Sequence, residues 1–89
     1  MKVLLHRVAE KYIDRLQSGD RDRFYAAFFD LEKEPPAGNI KPYKSSPDSF
    51  RLMVGNYRAI FRFVDNKILV THIEPRGQAY KKKTKTKRG

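Results

Sequence analysis

The 89-residue chain carries 20 Lys and Arg against 10 Asp and Glu, a formal net charge of +10 with a pI near 10.1. So short a chain makes one domain with a modest core, burying about 60% of its unfolded surface, and its charge favours a polyanionic partner over an acidic small molecule. The lack of cysteine removes disulfides and thiolate metal sites, the lone His6 and His72 make no spaced zinc set, and no apolar run approaches the roughly 20 residues of a membrane span, so the expectation is cytoplasmic residence with no metal, no cofactor and no membrane partner.

Lys2 to His6 is a short apolar run that reads as an edge strand feeding the first helix. From Arg7 to Ser18 the apolar residues Val8, Ala9, Tyr12, Ile13 and Leu16 fall on one face, which predicts an amphipathic helix. Ser18-Gly19-Asp20 then reads as a stop and a start, Gly19 giving the left-handed end and Asp20 accepting from the next first turn. Phe24, Ala27, Phe28 and Leu31 make the buried stripe of a second helix, with Tyr25 and Phe29 at its margins, ending near Lys33 because Glu34 precedes Pro35-Pro36. Residues 35–49 hold further turn formers and read as a plain crossover loop from helix to sheet.

Two turn signals divide the next stretch into strands at about 50–54, 57–64 and 67–74. Gly55-Asn56 suits a two-residue hairpin whose first central position needs positive φ, and Asp65-Asn66 suits a mirror-type turn. Strict alternation puts Phe50, Leu52, Val54, Tyr57, Ala59, Phe61, Phe63, Leu69, Thr71 and Ile73 on a core face. The opposite face then carries Arg51, Met53, Arg58, Ile60, Arg62, Val70, His72 and, past the strand end, Arg76. The expected fold is α+β: a small antiparallel sheet, made of the N-terminal strand and a three-strand meander, with a two-helix hairpin on one face and an uncovered cationic face on the other. The domain spans residues 1–80. Residues 81–89 form a basic tail in which Lys81, Lys82, Lys83, Lys85, Lys87 and Arg88 hold six positive charges, leaving the body only moderately basic.

The chemistry on the cationic face is a metal-free set. Arg51, Arg58, Arg62 and Arg76 are fixed cations, and His72, Glu74 and Tyr80 are candidate proton handlers. Cleavage of RNA without metal needs a base for the ribose 2′-hydroxyl, an acid for the leaving 5′-oxygen and cations for the extra charge on the phosphorane. Arginine suits the last task because its fork takes two phosphate oxygens and stays charged. Each residue also has a structural reading. Arg51 and Arg62 serve as solvated strand residues, His72 as a hydrogen bonder, Tyr80 as a ring on the sheet edge and Glu74 as the partner of Arg76.

The F-R-L-M-V strand, the G-N-Y-R-A-I-F-R-F strand, the D-N-K turn and the ending I-E-P-R-G-Q-A-Y together resemble the RelE/ParE toxins of bacterial type II toxin/antitoxin modules. The most specific part is G-x-Y-R followed by V-x-x-I and R-x-x-x-Y. The resemblance spans nearly the whole chain and implies a small sheet backed by two helices. It implies either an mRNA interferase of the RelE branch, a ribosome-dependent endoribonuclease, or a DNA gyrase poison of the ParE branch. For the RelE branch it places Arg51, Arg58, Arg76 and Tyr80 at the scissile phosphate; from their charge, Arg51, Arg62, Lys81, Lys82 and Lys83 are expected to grip RNA. A cognate antitoxin, the ribosome and mRNA are the implied partners, with gyrase in the alternative. The chain departs from the pattern at Met53, where some relatives carry Lys, and at Glu74-Pro75, where many show Gly-His, which leaves the base open between Glu74 and His72.

Overall fold

A computed structural model of the protein describes residues 1–77; Tyr80 and the tail from Lys81 onward lie outside the described residues. Seven elements follow in chain order: β1 (Lys2–Leu5), α1 (Arg7–Asp14), α2 (Ser18–Leu31), β2 (Ile40–Pro42), β3 (Phe50–Val54), β4 (Tyr57–Val64) and β5 (Lys67–Pro75). The strands form one sheet in the order β1-β5-β4-β3-β2. The α+β layer pair is the expected one, with two additions. β1 runs parallel to β5, so the sheet is mixed. The loop before β3 contributes β2, a three-residue edge strand whose closing Pro42 fits an edge, where a missing N–H costs the ladder nothing.

The meander forms as its turns dictate. Gly55 has φ 58°, and Asp65 and Asn66 have φ 50° and 64°, the left-handed pair that a tight mirror-type turn requires. The helices differ at their junction. α1 ends at Asp14, a turn early, and Ser18, Gly19 and Asp20 all lie inside the first turn of α2, whose N-cap is Gln17. Neither Gly19 nor Asp20 ends or caps a helix. Asp20 instead binds Arg23 one turn on at 3.2 Å, and Arg21 reaches back to the Leu16 carbonyl at 2.7 Å to close the inter-helix turn. α2 stops at Leu31, two residues before the expected end. His6 caps α1, its Nδ1 accepting from the Val8 amide at 3.1 Å, while its own amide bonds the Val70 carbonyl. The lone His6 thus ties strand to helix.

The core lies between the helices and one sheet face. Ala9 and Ile13 of α1 and Phe24, Phe28 and Leu31 of α2 pack on Leu52, Val54, Ala59, Phe61, Ile68, Val70 and Ile73. The α2 stripe is the expected one, but strict alternation fails in β5. Ile60 pairs with His72 and the next residue, Phe61, pairs with Val70, so Thr71 has no partner across the ladder. This bulge resets the alternation. Val70 turns into the core with Ile68, while Leu69 and Thr71, expected inside, are half-buried outside it. Thr71 and His72 are left side by side, Thr71 Oγ1 lying 3.3 Å from His72 Nδ1.

Candidate functional site

The second sheet face carries charge, as expected, but it is not bare. Ile60, flanked in the ladder by Arg51 and His72, lies outside the core cluster and yet is only 1% exposed. The segment after β2 folds across this face. Tyr43 sets its ring edge against His72, centroids 6.2 Å apart, and its hydroxyl donates to Glu74 Oε2 at 2.6 Å. The loop that reads as a crossover therefore forms one wall of the site, and its sequence carries no signal of this because Tyr43 and Glu74 are 31 residues apart.

Glu74 is the hub. Arg58 stands directly opposite it on β4, and Arg58 Nη2 donates to Oε1 at 2.5 Å. His72 Nε2 lies 3.2 Å from Oε2. Glu74 thus meets Arg58 rather than Arg76. Cross-strand partners bring their Cβ atoms to about 5 Å, closer than residues two apart on one strand. Burial alone would push the Glu74 carboxyl up; hydrogen bonds from Tyr43 and His72 and the Arg58 charge outweigh it and hold the group below the usual carboxylate range. The same bond to Glu74, helped by burial, raises the Tyr43 hydroxyl above its ordinary value.

Beside this hub is a hollow of about 300 Å³ lined by Pro42, Tyr43, Lys44, Ser45, Arg51 and Arg58. Three cationic residues share this lining with Tyr43 and Ser45, and the Glu74 carboxylate holds one of the cations. Such a lining fits a phosphodiester in charge and in donor type. Arg51 also touches Met53 Sδ at 3.6 Å, which settles that guanidinium against its own strand. The other sequence-derived residues lie apart. Arg62 is exposed and lines a hollow with Pro47, Asp48, Phe50 and Phe63. Arg76, past the end of β5, lines another with Tyr12, Asn56, Tyr57 and Pro75, its Nη1 3.5 Å from the Gly55 carbonyl. Lys44 and Tyr43 were not among the sequence-derived candidates. Among the described residues no group of three His, Cys, Asp or Glu is placed to hold a metal ion, and no helix is long and apolar enough to cross a membrane.

On the far side, β1 and α2 leave an apolar groove of about 300 Å³ lined by Val3, Leu5, Tyr25, Phe28, Phe29 and Glu32. Phe29 is 70% exposed there. Glu32 accepts from the Val3 amide at 2.7 Å and so occupies one donor of the β1 edge.

Comparison with known proteins follows the same lines. Residues 3–80 match the family described as the ParE toxin of type II toxin-antitoxin system, parDE. Among solved structures, the archaeal RelE-RelB complex from Pyrococcus horikoshii is similar at 25% identity, with a TM-score of 0.73 over 86% of this chain and 96% of that one. A toxin-antitoxin complex from Mycobacterium tuberculosis gives 22% identity, a TM-score of 0.71 and coverage of 84% and 96%. The isolated E. coli RelE toxin gives 18% identity and a TM-score of 0.69, with 96% of each chain covered. The last two likenesses bear on fold alone. None of the curated proteins matches the chain.

Proposed function

The chain belongs to the ParE toxin family of type II toxin-antitoxin systems, and on that premise we propose that it acts as a RelE-like, ribosome-dependent endoribonuclease that cleaves mRNA without a metal and so stops translation. The observation that carries this reading is the hollow where Arg58, held by Glu74, faces the same space as Arg51 and Lys44. In this reading Arg58 and Arg51 take the oxygens of the scissile phosphate. A base removes the 2′-hydroxyl proton, the 2′-oxygen bonds to phosphorus, and the 5′-oxygen leaves with a proton from an acid. Glu74 already accepts three hydrogen bonds and its basicity is lowered, which favours an orienting role for it and leaves His72, whose side chain is 40% exposed, as the better placed proton handler. Arg76 and Tyr80 would contact the nucleotide beyond the phosphate, and Arg62, Lys81, Lys82 and Lys83 would grip the RNA chain.

A cognate antitoxin is the second partner proposed, since solved structures of this fold include RelB-RelE complexes. We expect it to lay a helix or strand across exposed apolar and cationic surface and to displace Tyr80 or the tail. The groove with Phe29 offers the apolar part. Phe29→Asp should weaken antitoxin binding by tenfold or more, as truncated aromatic anchors do, with toxin folding unchanged; equal affinity by calorimetry would remove the groove from that interface.

The match to the ParE toxin family supports a second reading, the one that resemblance to the ParE branch implies: inhibition of DNA gyrase without chemistry. Primer extension on mRNA from a translating extract separates the two. Cuts phased to codons and absent without ribosomes support the ribonuclease. Continued translation with no cuts, together with inhibited supercoiling by purified gyrase, supports the alternative, and cuts in naked RNA mean a free-standing ribonuclease.

A further inference from the structure

Tyr43 lines the hollow and sets its ring edge against His72, and its hydroxyl bonds Glu74 in a way that sets how Arg58 is held. Its segment is built to keep it still. The Tyr43 amide bonds the Ser49 carbonyl at 3.0 Å, the Ser46 amide bonds the Tyr43 carbonyl at 3.2 Å, and the Ser49 amide bonds the Ser46 carbonyl at 3.1 Å, with Ser49 buried. From this closed loop the hydroxyl occupies Glu74 Oε2, which also faces His72, while Arg58 has only Oε1. Arg58 therefore meets the carboxylate through one oxygen instead of two. Its Nε–H is buried and has no acceptor among the described residues. An unspent donor beside a carboxylate is an invitation to a bidentate pair, the stronger geometry for arginine.

We infer that Tyr43 is a positioning residue of the site, which by occupying Glu74 Oε2 keeps that carboxylate from closing on the Arg58 Nε–H and so leaves the guanidinium held through one bond instead of two, with its remaining donors able to turn to a phosphodiester in the hollow. Without the hydroxyl, Oε2 turns to the Nε–H. Arg58 is then locked in a bidentate pair, with both Nη2 and Nε spent on the carboxylate, and turns less readily to phosphate. The inference deepens the ribonuclease reading and rests on it only for the identity of the ligand.

The test has two arms on the full-length protein. In the first, without ligand, the Arg58 Nε–H resonance is followed by NMR in wild type, Tyr43→Phe, Glu74→Gln and the double variant. Tyr43→Phe should shift the resonance downfield and slow its exchange with solvent, and in the Glu74→Gln background it should do neither. A resonance that Tyr43→Phe leaves in place overturns the inference. The second arm measures binding of a 2′-O-methyl RNA hexamer, which lacks the attacking hydroxyl and stays intact. Tyr43→Phe should weaken it roughly three- to tenfold, the range of one net hydrogen bond, and should have no further effect once Glu74 is Gln, which is the pairwise signature of action through that carboxylate. Equal affinity of wild type and Tyr43→Phe for the hexamer also overturns the inference. If the resonance shifts as stated but wild type fails to bind the hexamer, the Tyr43–Glu74–Arg58 linkage stands and the RNA reading of the hollow falls.

Discussion

Glu74 concentrates the residue-scale physics of the site. A carboxylate removed from water is stable only when donors replace the lost hydration, and here the donors come from β4, from β5 itself and from the loop after β2. Because its folded pKa is lowered, Glu74 contributes stability that is present above its unfolded value near 4 and is lost as pH falls through the folded value. The Tyr43 shift has the opposite sense. Its raised pKa means a contribution that is full below the unfolded value near 10 and is lost as pH rises through the folded one. Glu74→Gln should therefore bring the Tyr43 titration down toward 10, as seen by difference absorbance of tyrosinate against Tyr43→Phe; an unmoved titration would mean that the carboxylate is not the cause. In the sequence, Glu74 pairs naturally with Arg76, two residues away. The pairing with Arg58 becomes visible only once the register of β4 on β5 is known, since it joins residues 16 apart.

The elements show where local pattern carries far and where it stops. Two hairpin turns, the α2 stripe and the alternation in β3 are local properties, and each appears in the structure as the sequence implies. In β4 the alternation holds for Ala59 and Phe61, while Phe63, expected inside, is exposed and Ile60, expected outside, is buried. Three features escape the local pattern. β2 has three residues and no period, and exists because β3 offers it a ladder. The α1–α2 junction moved because Gly19 and Asp20, good residues for a helix end, are equally acceptable in a first turn, where an acidic group is favoured by the helix dipole. The bulge at Thr71 leaves no mark in composition, yet it decides which β5 residues enter the core. It also yields a sharp expectation. Since Phe61 and Ile60 pair with Val70 and His72 in turn, deleting Thr71 leaves a continuous ladder with Ile68, Val70 and Ile73 still facing inward. The deletion should cost about 1 kcal/mol in urea unfolding, the worth of the hydrogen bond from Thr71 Oγ1 to the Ile60 carbonyl. Deleting Leu69 instead turns Ile68 out of the core and should abolish cooperative unfolding. Collapse of the Thr71 deletion would contradict the assigned register.

At the scale of the whole molecule the sheet separates two surfaces, a cationic hollow under the Tyr43 loop and an apolar groove between β1 and α2. On the function proposed above, the first would take the target and the second the antitoxin. The tail adds charge without adding to the described fold. If its six cations contact single-stranded RNA, removing residues 81–89 should reduce the slope of log affinity against log salt by up to about 4, at roughly 0.7 per phosphate; an unchanged slope would exclude the tail from the interface.

The most direct measurement compares Arg58→Ala with wild type and Arg62→Ala by primer extension on mRNA in a translating extract, with circular dichroism confirming that all three are folded. The site described above requires codon-phased cuts from wild type, their loss by at least a hundredfold in Arg58→Ala, on the scale of a removed electrostatic stabiliser of about 2.7 kcal/mol or more, and a much smaller loss in Arg62→Ala. Cuts of wild-type strength from folded Arg58→Ala would contradict it.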